Sequence, residues 1–314
     1  MYEQIASNKR RAAFYVFIFF IIWTGVGAAI GLIFYPARTN MDGTLTGTHP
    51  QAIIAGMVIA ALFALLATFF ALTSGARLVL AVSGARPADP SQYQQLHNIV
   101  EGLAIGDGIP KPDVYVIDDP SPNAFATGIS PKKAAITATT GLLEIMNREE
   151  VEGVIGHEMS HIKNYDVRLI LIVSTLIGLA GLIASVIWRS MFYMRMGRNR
   201  DSGNAVIVVI AAAVLLSIVG FVVGPLIRLA ISRRREELAD VSGVALTRNP
   251  AGLISALQKL QQNDKPFAKF NHATAAMCID DPLQHHESWF HHLFDTHPPL
   301  EERIAILQRI EHTA

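Results

Sequence analysis

Apolar residues in this chain fall into four long blocks set apart by polar stretches. The first, Phe14 to Phe34, carries no charge and has about the twenty residues needed to cross ~30 Å of hydrocarbon. It predicts a spanning helix. A cleaved leader would have a shorter apolar core, ~7–15 residues, followed by a small-x-small site, so an anchor is expected. A polar loop from Pro36 to Pro50 leads to a second block, Ala52 to Leu72, and the two together predict a helical hairpin. Two further blocks, Leu169 to Trp188 and Ala205 to Ile227, predict a second pair.

Between the pairs, from Arg77 to about Asp166, the pattern becomes that of a soluble domain, punctuated by Gly84, Pro87, Pro90, Gly106, Gly108, Pro110 and Pro112. Ser91 to Ile105 has helical periodicity. Asp113 to Asp118 alternates as a strand does, and Ala134 to Thr139 is a second candidate strand. The short, small-residue stretch from Pro122 to Gly128 lies between them. As an open sheet edge it would accept an extended peptide as an added strand; as a buried hairpin strand it would not, and both readings stand. The expected architecture is an α+β membrane protein with about four transmembrane helices and a soluble domain containing a small sheet. Its divisions are an N-terminal hairpin (1–80), a first half of the soluble domain (81–168), a second hairpin (169–228) and a second half of that domain (229–314).

Composition supports a membrane protein, since 51% of residues are hydrophobic and only 17% charged, against about a quarter charged in soluble domains. The formal net charge is zero, so nothing implies a nucleic-acid partner. The single cysteine, Cys278, has no internal partner for a disulfide and fits no nucleophile pattern.

The chemistry centres on His157-Glu158-Met-Ser-His161. Residues four apart share a helix face, so both imidazoles can reach one tetrahedral zinc. Glu158 is left beside the open position, placed to take a proton from a water whose pKa the ion lowers from ~15.7 to ~7. The preceding Asn147-Arg-Glu-Glu supplies a helix cap and an acidic first turn. A catalytic zinc takes three protein ligands, and the candidate for the third is Glu236 in Glu236-Glu237-Leu-Ala-Asp240. Asp240 shares its helix face and is placed to accept the second ring N–H of a ligating histidine, whereas Glu237 points elsewhere. The alternative for this stretch is a solvated acidic patch paired with Arg233 to Arg235.

His157, His161 and Glu236 must lie in one compartment, so the two blocks between them cross the bilayer an even number of times or not at all. Lys9 to Arg11, Arg77, Arg86 and Arg233 to Arg235 place the catalytic parts in the cytoplasm by the positive-inside rule. The loop with Arg189, Arg195, Arg198 and Arg200 then lies outside, against that rule. Two crossings are expected, a dip into the bilayer being the alternative. Only seven residues separate His161 from the third block, which puts the metal within roughly 10–15 Å of the hydrocarbon boundary if the helix runs on.

His157-Glu158-Met-Ser-His161, Arg235-Glu236-Glu-Leu-Ala-Asp240, Pro122-Asn-Ala-Phe-Ala and Thr296-His297-Pro-Pro-Leu-Glu-Glu-Arg303 jointly resemble the HtpX-type membrane zinc metalloproteases of the M48 peptidase family. The resemblance implies a zincin-like (gluzincin) site in which His157, His161 and Glu236 bind one Zn2+ and Glu158 is general base. It also implies His297 near the developing oxyanion, and Asn123, Ala124, Phe125 and Ala126 as a substrate-edge strand. The implied role is endoproteolysis of misfolded or damaged membrane proteins, or other unfolded polypeptides, at the cytoplasmic face of a bacterial plasma membrane. Gln284 to His292 is richer in histidine than the family pattern; a solvent-facing loop is expected there, a second metal site being the alternative. The rival functions are a prenyl-peptide protease, against which four spans without a large chamber argue, and a non-catalytic membrane chaperone with a structural zinc.

Overall fold

In the computed structural model, residues 2–34, 38–39, 45–46, 50–176, 189, 233–263 and 299–312 are described. The fourth apolar block, most of the third, the Arg189–Arg200 loop beyond Arg189, Cys278, His297 and the histidine-rich stretch 284–292 lie outside them. The chain divides into two compact units. One takes in the described residues of 1–12, 72–174 and 225–314, the other those of 13–71 and 175–224.

The membrane unit contains most of two long helices, α1 (Tyr2–Phe34) and α2 (Pro50–Val82), joined through a short two-stranded ladder of β1 (Arg38–Thr39) and β2 (Leu45–Thr46). Both are long and apolar enough to span a bilayer. Small residues let them approach each other. A Cβ on Gly27 would stand 2.2 Å from the Gly56 carbonyl oxygen, and one on Gly31 2.5 Å from that of Ala52, so the backbones touch as small-xxx-small motifs allow. Ala60, Ala64 and Ala67 are buried, and the Trp23 and Phe63 rings lie 4.7 Å apart. Ile59, Leu66 and Phe69 point outward, each at least 65% exposed, which in lipid carries no penalty. Helix α2 runs on past the apolar block through Arg77 to Val82.

The catalytic unit has a four-stranded mixed sheet of β3 (Arg86–Pro87), β4 (Asp113–Ile117), β5 (Ala124–Ser130) and β6 (Lys133–Thr139), in the order β3-β4-β6-β5. Strands β5 and β6 form an antiparallel hairpin, while β4 pairs in parallel with β6. The hairpin bulges at Gly128, whose φ of +140° and close approach to the Lys133 carbonyl exclude a side chain. The chain from β4 passes through Asp119 to Asn123 to reach the far side of β6, which leaves β5 as the end strand.

Helix α3 (Gln94–Asp107) begins three residues later than its periodicity predicts, because the Ser91 amide and hydroxyl both donate to Asp89 Oδ1, 2.8 and 2.6 Å, in a local turn. After α4 (Thr140–Ile145), the sequence Asn147 to Glu150 starts α5 (Arg148–Lys163) with a full capping box. The described remainder is α6 (Arg233–Thr247), α7 (Pro250–Gln262) and α8 (Leu300–Glu311). Helix α5 is the hub: it packs on α3, β5, α6 and α7, and from Val151 to Ile162 all but Glu152 are buried. The expected direct run from α5 into the third apolar block is broken at Asn164 and Tyr165, where Tyr165 takes a left-handed φ of +61°; the chain is helical again over 166–176.

Candidate metal centre

His157 and His161 project from one face of α5, one turn apart, and their Nε2 atoms stand 3.1 Å from each other. Helix α6 crosses that face closely because two glycines meet there. A Cβ on Gly243 would lie 2.9 Å from the His157 amide nitrogen and 3.0 Å from the Gly156 carbonyl carbon. Two turns before Gly243, Glu236 brings its carboxylate to 3.6 Å from His157 Nε2 and 3.7 Å from His161 Nε2. All three side chains are buried, and the potential ligand atoms lie within 4.8 Å of one another.

These separations test whether an ion fits. Ligands bonded tetrahedrally at ~2.0–2.2 Å stand about 3.3–3.6 Å apart, close to the 3.1 Å between the two nitrogens and the 3.6 Å from His157 Nε2 to Glu236 Oε2; the other oxygen, Oε1, is the one 3.7 Å from His161 Nε2. Two imidazole nitrogens and a carboxylate oxygen form the donor set of a small divalent ion.

The far nitrogen of each ring is held by a carboxylate. His157 Nδ1 donates to Asp240 Oδ1 at 2.8 Å, and His161 Nδ1 to Asp166 Oδ2 at 3.0 Å. This turns both Nε2 atoms toward Glu236, the arrangement outer carboxylates impose on ligating histidines. Asp240 is itself held by Arg303 of α8, whose Nε and Nη2 donate to its two oxygens at 2.9 and 2.7 Å. Arg303 and Asp240 are each 1% exposed.

Burial pushes against charge on Asp240, but Arg303 and then His157 outweigh it and hold the carboxyl down to about 2. For His157, burial and the Arg303 charge oppose protonation, and Asp240 with Glu236 overcomes both, lifting the imidazole to about 9. A proton and a metal compete for the same Nε2.

Glu158 is buried on α5 between the two histidines, close enough for its charge to act on Arg303. Asn123 to Ala126 are buried as well; Asn123 is tied to Thr139 through its amide and carbonyl, and β5 packs on α5. Glu237, as its register predicts, is not among the buried residues of α6. His297 lies outside the described residues. Asp166 and Arg303 were not expected from sequence. Asp166 is five residues past His161, off the helical spacing, and reaches back only because the chain turns at Tyr165. Arg303 stood in a recognisable stretch, but nothing local tells which carboxylate it meets.

The model of peptidase family M48 matches residues 90–311. Over nearly its full length the chain is similar to the protease HtpX homologs of Streptococcus mutans, 41% identical over 99% of this chain and all of the relative, and of Caldanaerobacter subterraneus subsp. tengcongensis, 41% identical over 99% and 98%. Among solved structures, the crystal structure of S. mikatae Ste24p aligns with a TM-score of 0.46 at 19% identity, covering 83% of this chain and 59% of that one. With its two apolar helices and its buried histidine, histidine and glutamate cluster, this chain belongs to peptidase family M48 and is a membrane metalloprotease.

Proposed function

We propose that the protein is a zinc endopeptidase that cuts misfolded or damaged membrane proteins at the cytoplasmic face of the membrane, with His157, His161 and Glu236 as zinc ligands and Glu158 as general base. The observation that carries this reading is the convergence of two Nε2 atoms 3.1 Å apart on one carboxylate, whose Oε2 lies 3.6 Å from His157 and whose Oε1 lies 3.7 Å from His161, with both rings locked from behind by carboxylates. Two nitrogens and one oxygen at these spacings suit zinc. A bound zinc supplies Lewis acidity, polarising a carbonyl oxygen and acidifying a water. Glu158 takes the proton of the attacking water and delivers it to the leaving amine nitrogen. Asp240 and Asp166, accepting from the two Nδ1 atoms, keep both imidazoles in the tautomer that leaves Nε2 available.

Substrate presentation is assigned to β5. It is the end strand among the described strands and packs against α5; addition of an extended peptide along Asn123 to Ala126 requires that what buries these residues move aside. His297 is kept as the candidate oxyanion donor. The cytoplasmic, multi-pass arrangement rests on charge and connectivity. The first turns of α1, with Lys9, Arg10 and Arg11, and the last turns of α2, with Arg77, belong to the same compact unit as the site, and basic flanks favour the cytoplasm. Two further crossings, by the blocks 169–188 and 205–227, make four in all and keep that unit on one side.

The test is a Glu158→Gln variant reconstituted in liposomes with an unfolded membrane-protein substrate. It should retain one zinc per chain and lose cleavage by about 10²–10⁴-fold. Cleavage at the wild-type rate with zinc bound would remove Glu158 from the reaction.

A further inference from the structure

The start of the first membrane helix reaches the metal centre. Asn8, buried on α1 ahead of its apolar stretch, uses one amide nitrogen to donate to two acceptors, the Asn164 carbonyl at 3.0 Å and Asp166 Oδ1 at 2.6 Å. Both partners are acceptors, so only the NH2 end of the side chain can face them. The other oxygen of Asp166 receives His161 Nδ1–H at 3.0 Å. The path from Asn8 to a ligand nitrogen is therefore two hydrogen bonds and one ring long.

The turn that Asn8 spans has need of support. Asn164 ends α5, and Tyr165 follows at φ +61°, a left-handed conformation that costs a non-glycine residue of order 1–3 kcal/mol. Asp166 resumes helix immediately after, so its direction is set by this one strained step. Asn8 bridges the two sides of the step, and the next residue, Lys9, places its ammonium 4.4 Å from the centroid of the Tyr165 ring. Arg235, beside the ligand Glu236, holds its Nε 3.5 Å from Asp166 Oδ1, a longer contact than the 2.6 Å hydrogen bond from Asn8 to the same oxygen, and Asn8 also donates to the Asn164 carbonyl.

We infer that Asn8 is a positioning residue of the metal centre: by holding the Asn164–Asp166 turn closed, it keeps Asp166 on His161 and so makes metal affinity depend on the docking of the N-terminal helix. This rests on the reading of His157, His161 and Glu236 as metal ligands. An anchor alone would need no buried amide at this point, and α1 elsewhere meets its own hairpin partner through glycines and rings.

The experiment measures Zn2+ dissociation constants by competition with a chromogenic chelator, on the full chain in detergent micelles. Asp166→Asn should weaken binding by about 10–100-fold, as loss of an outer carboxylate does, and Asn8→Leu, one bond further out, by about tenfold. Because Asn8 acts through Asp166, adding Asn8→Leu to Asp166→Asn should change the constant less than about twofold. Asn8→Ser, too short to span both acceptors and too small to disturb packing, should show the same loss, and Thr24→Val, within α1, where the hydroxyl donates to carbonyls of its own helix, should leave affinity at the wild-type value. Unfolding of the metal-free proteins controls for general destabilisation. An unchanged constant in both Asn8 variants, or losses that add in the double variant, overturns the relay while leaving the metal centre standing. A His157→Ala protein that still binds Zn2+ as wild type does overturns the metal centre itself, and the relay with it.

Discussion

Arg303 grips Asp240 with two nearly parallel hydrogen bonds, 2.9 and 2.7 Å, in a pocket where neither side chain meets solvent. This joins α8 to α6 directly behind the His157 imidazole. A buried ion pair is sensitive to the loss of either half, because the survivor is left charged and unsolvated.

Arg303→Met is accordingly expected to destabilise the catalytic unit by about 3–5 kcal/mol, seen as a lower denaturant midpoint of the metal-free protein. Arg303→Lys should restore only part of this, since an ammonium cannot supply the two-pronged geometry. A lysine variant as stable as wild type would show that charge alone suffices.

Gly243→Ala forces a methyl group to within 2.9 Å of main-chain atoms at His157. Overpacking of this kind costs about 1–3 kcal/mol, and here it displaces Glu236 from the histidines, so zinc affinity should fall about tenfold for each ~1.4 kcal/mol that the displacement takes from binding. Gly102→Ala on α3 is the contrast. Nothing lies within 4 Å of its Cβ, and it should leave zinc binding intact while raising stability by up to ~1 kcal/mol. Chelator competition on both variants separates the two outcomes.

Glu150 joins the start of α5 to α7, accepting from the Asn147 amide at 2.7 Å, Lys259 Nζ at 2.7 Å and Ser255 Oγ at 2.6 Å. Burial raises its pKa, but Lys259, Ser255 and Asn147 together outweigh that and leave it lowered. A carboxyl lowered in the folded state gives stability that is complete above the unfolded value, ~4.3, and is lost as pH falls through the folded one. Glu150→Gln keeps the capping box but gives up the charge on Lys259. It should cost about 1 kcal/mol near neutrality and flatten the acid side of the stability profile, measured by denaturant unfolding from neutral pH downward.

Gly56→Val should separate α1 from α2, since its side chain would collide with the Gly27 carbonyl oxygen. The expected result is a lower unfolding temperature in mild detergent together with a shift in Trp23 emission as its contact with Phe63 is lost. An unchanged spectrum would mean that the helices part without altering their aromatic contact.

Local features were largely readable from sequence. The Asn147 cap, the helix through His157 and His161, the shared face of Glu236 and Asp240 and the first apolar hairpin all follow from spacing, because each depends on residues within a turn or two of one another. What spacing could not supply were contacts set by chain reversals. The turn at Tyr165 bears no glycine to announce it, so Asp166 looked like the next residue of a running helix. The parallel pairing of β4 with β6, which puts β5 at the end of the sheet, depends on a crossing made by the loop 118–123 and leaves no periodic trace. Asn8 lies in a short basic lead-in whose obvious reading is topological, and its 156-residue separation from Asn164 is beyond any pattern argument.

At Gly156 and Gly243 the helices that carry His157, His161 and Glu236 meet main chain to main chain. The spacing of these three side chains is thus gauged by peptide groups, which mutation cannot enlarge or trim, and not by the side chains around them. The surrounding apolar filling is free to drift over evolutionary time or be rewritten by design, provided those two positions stay bare.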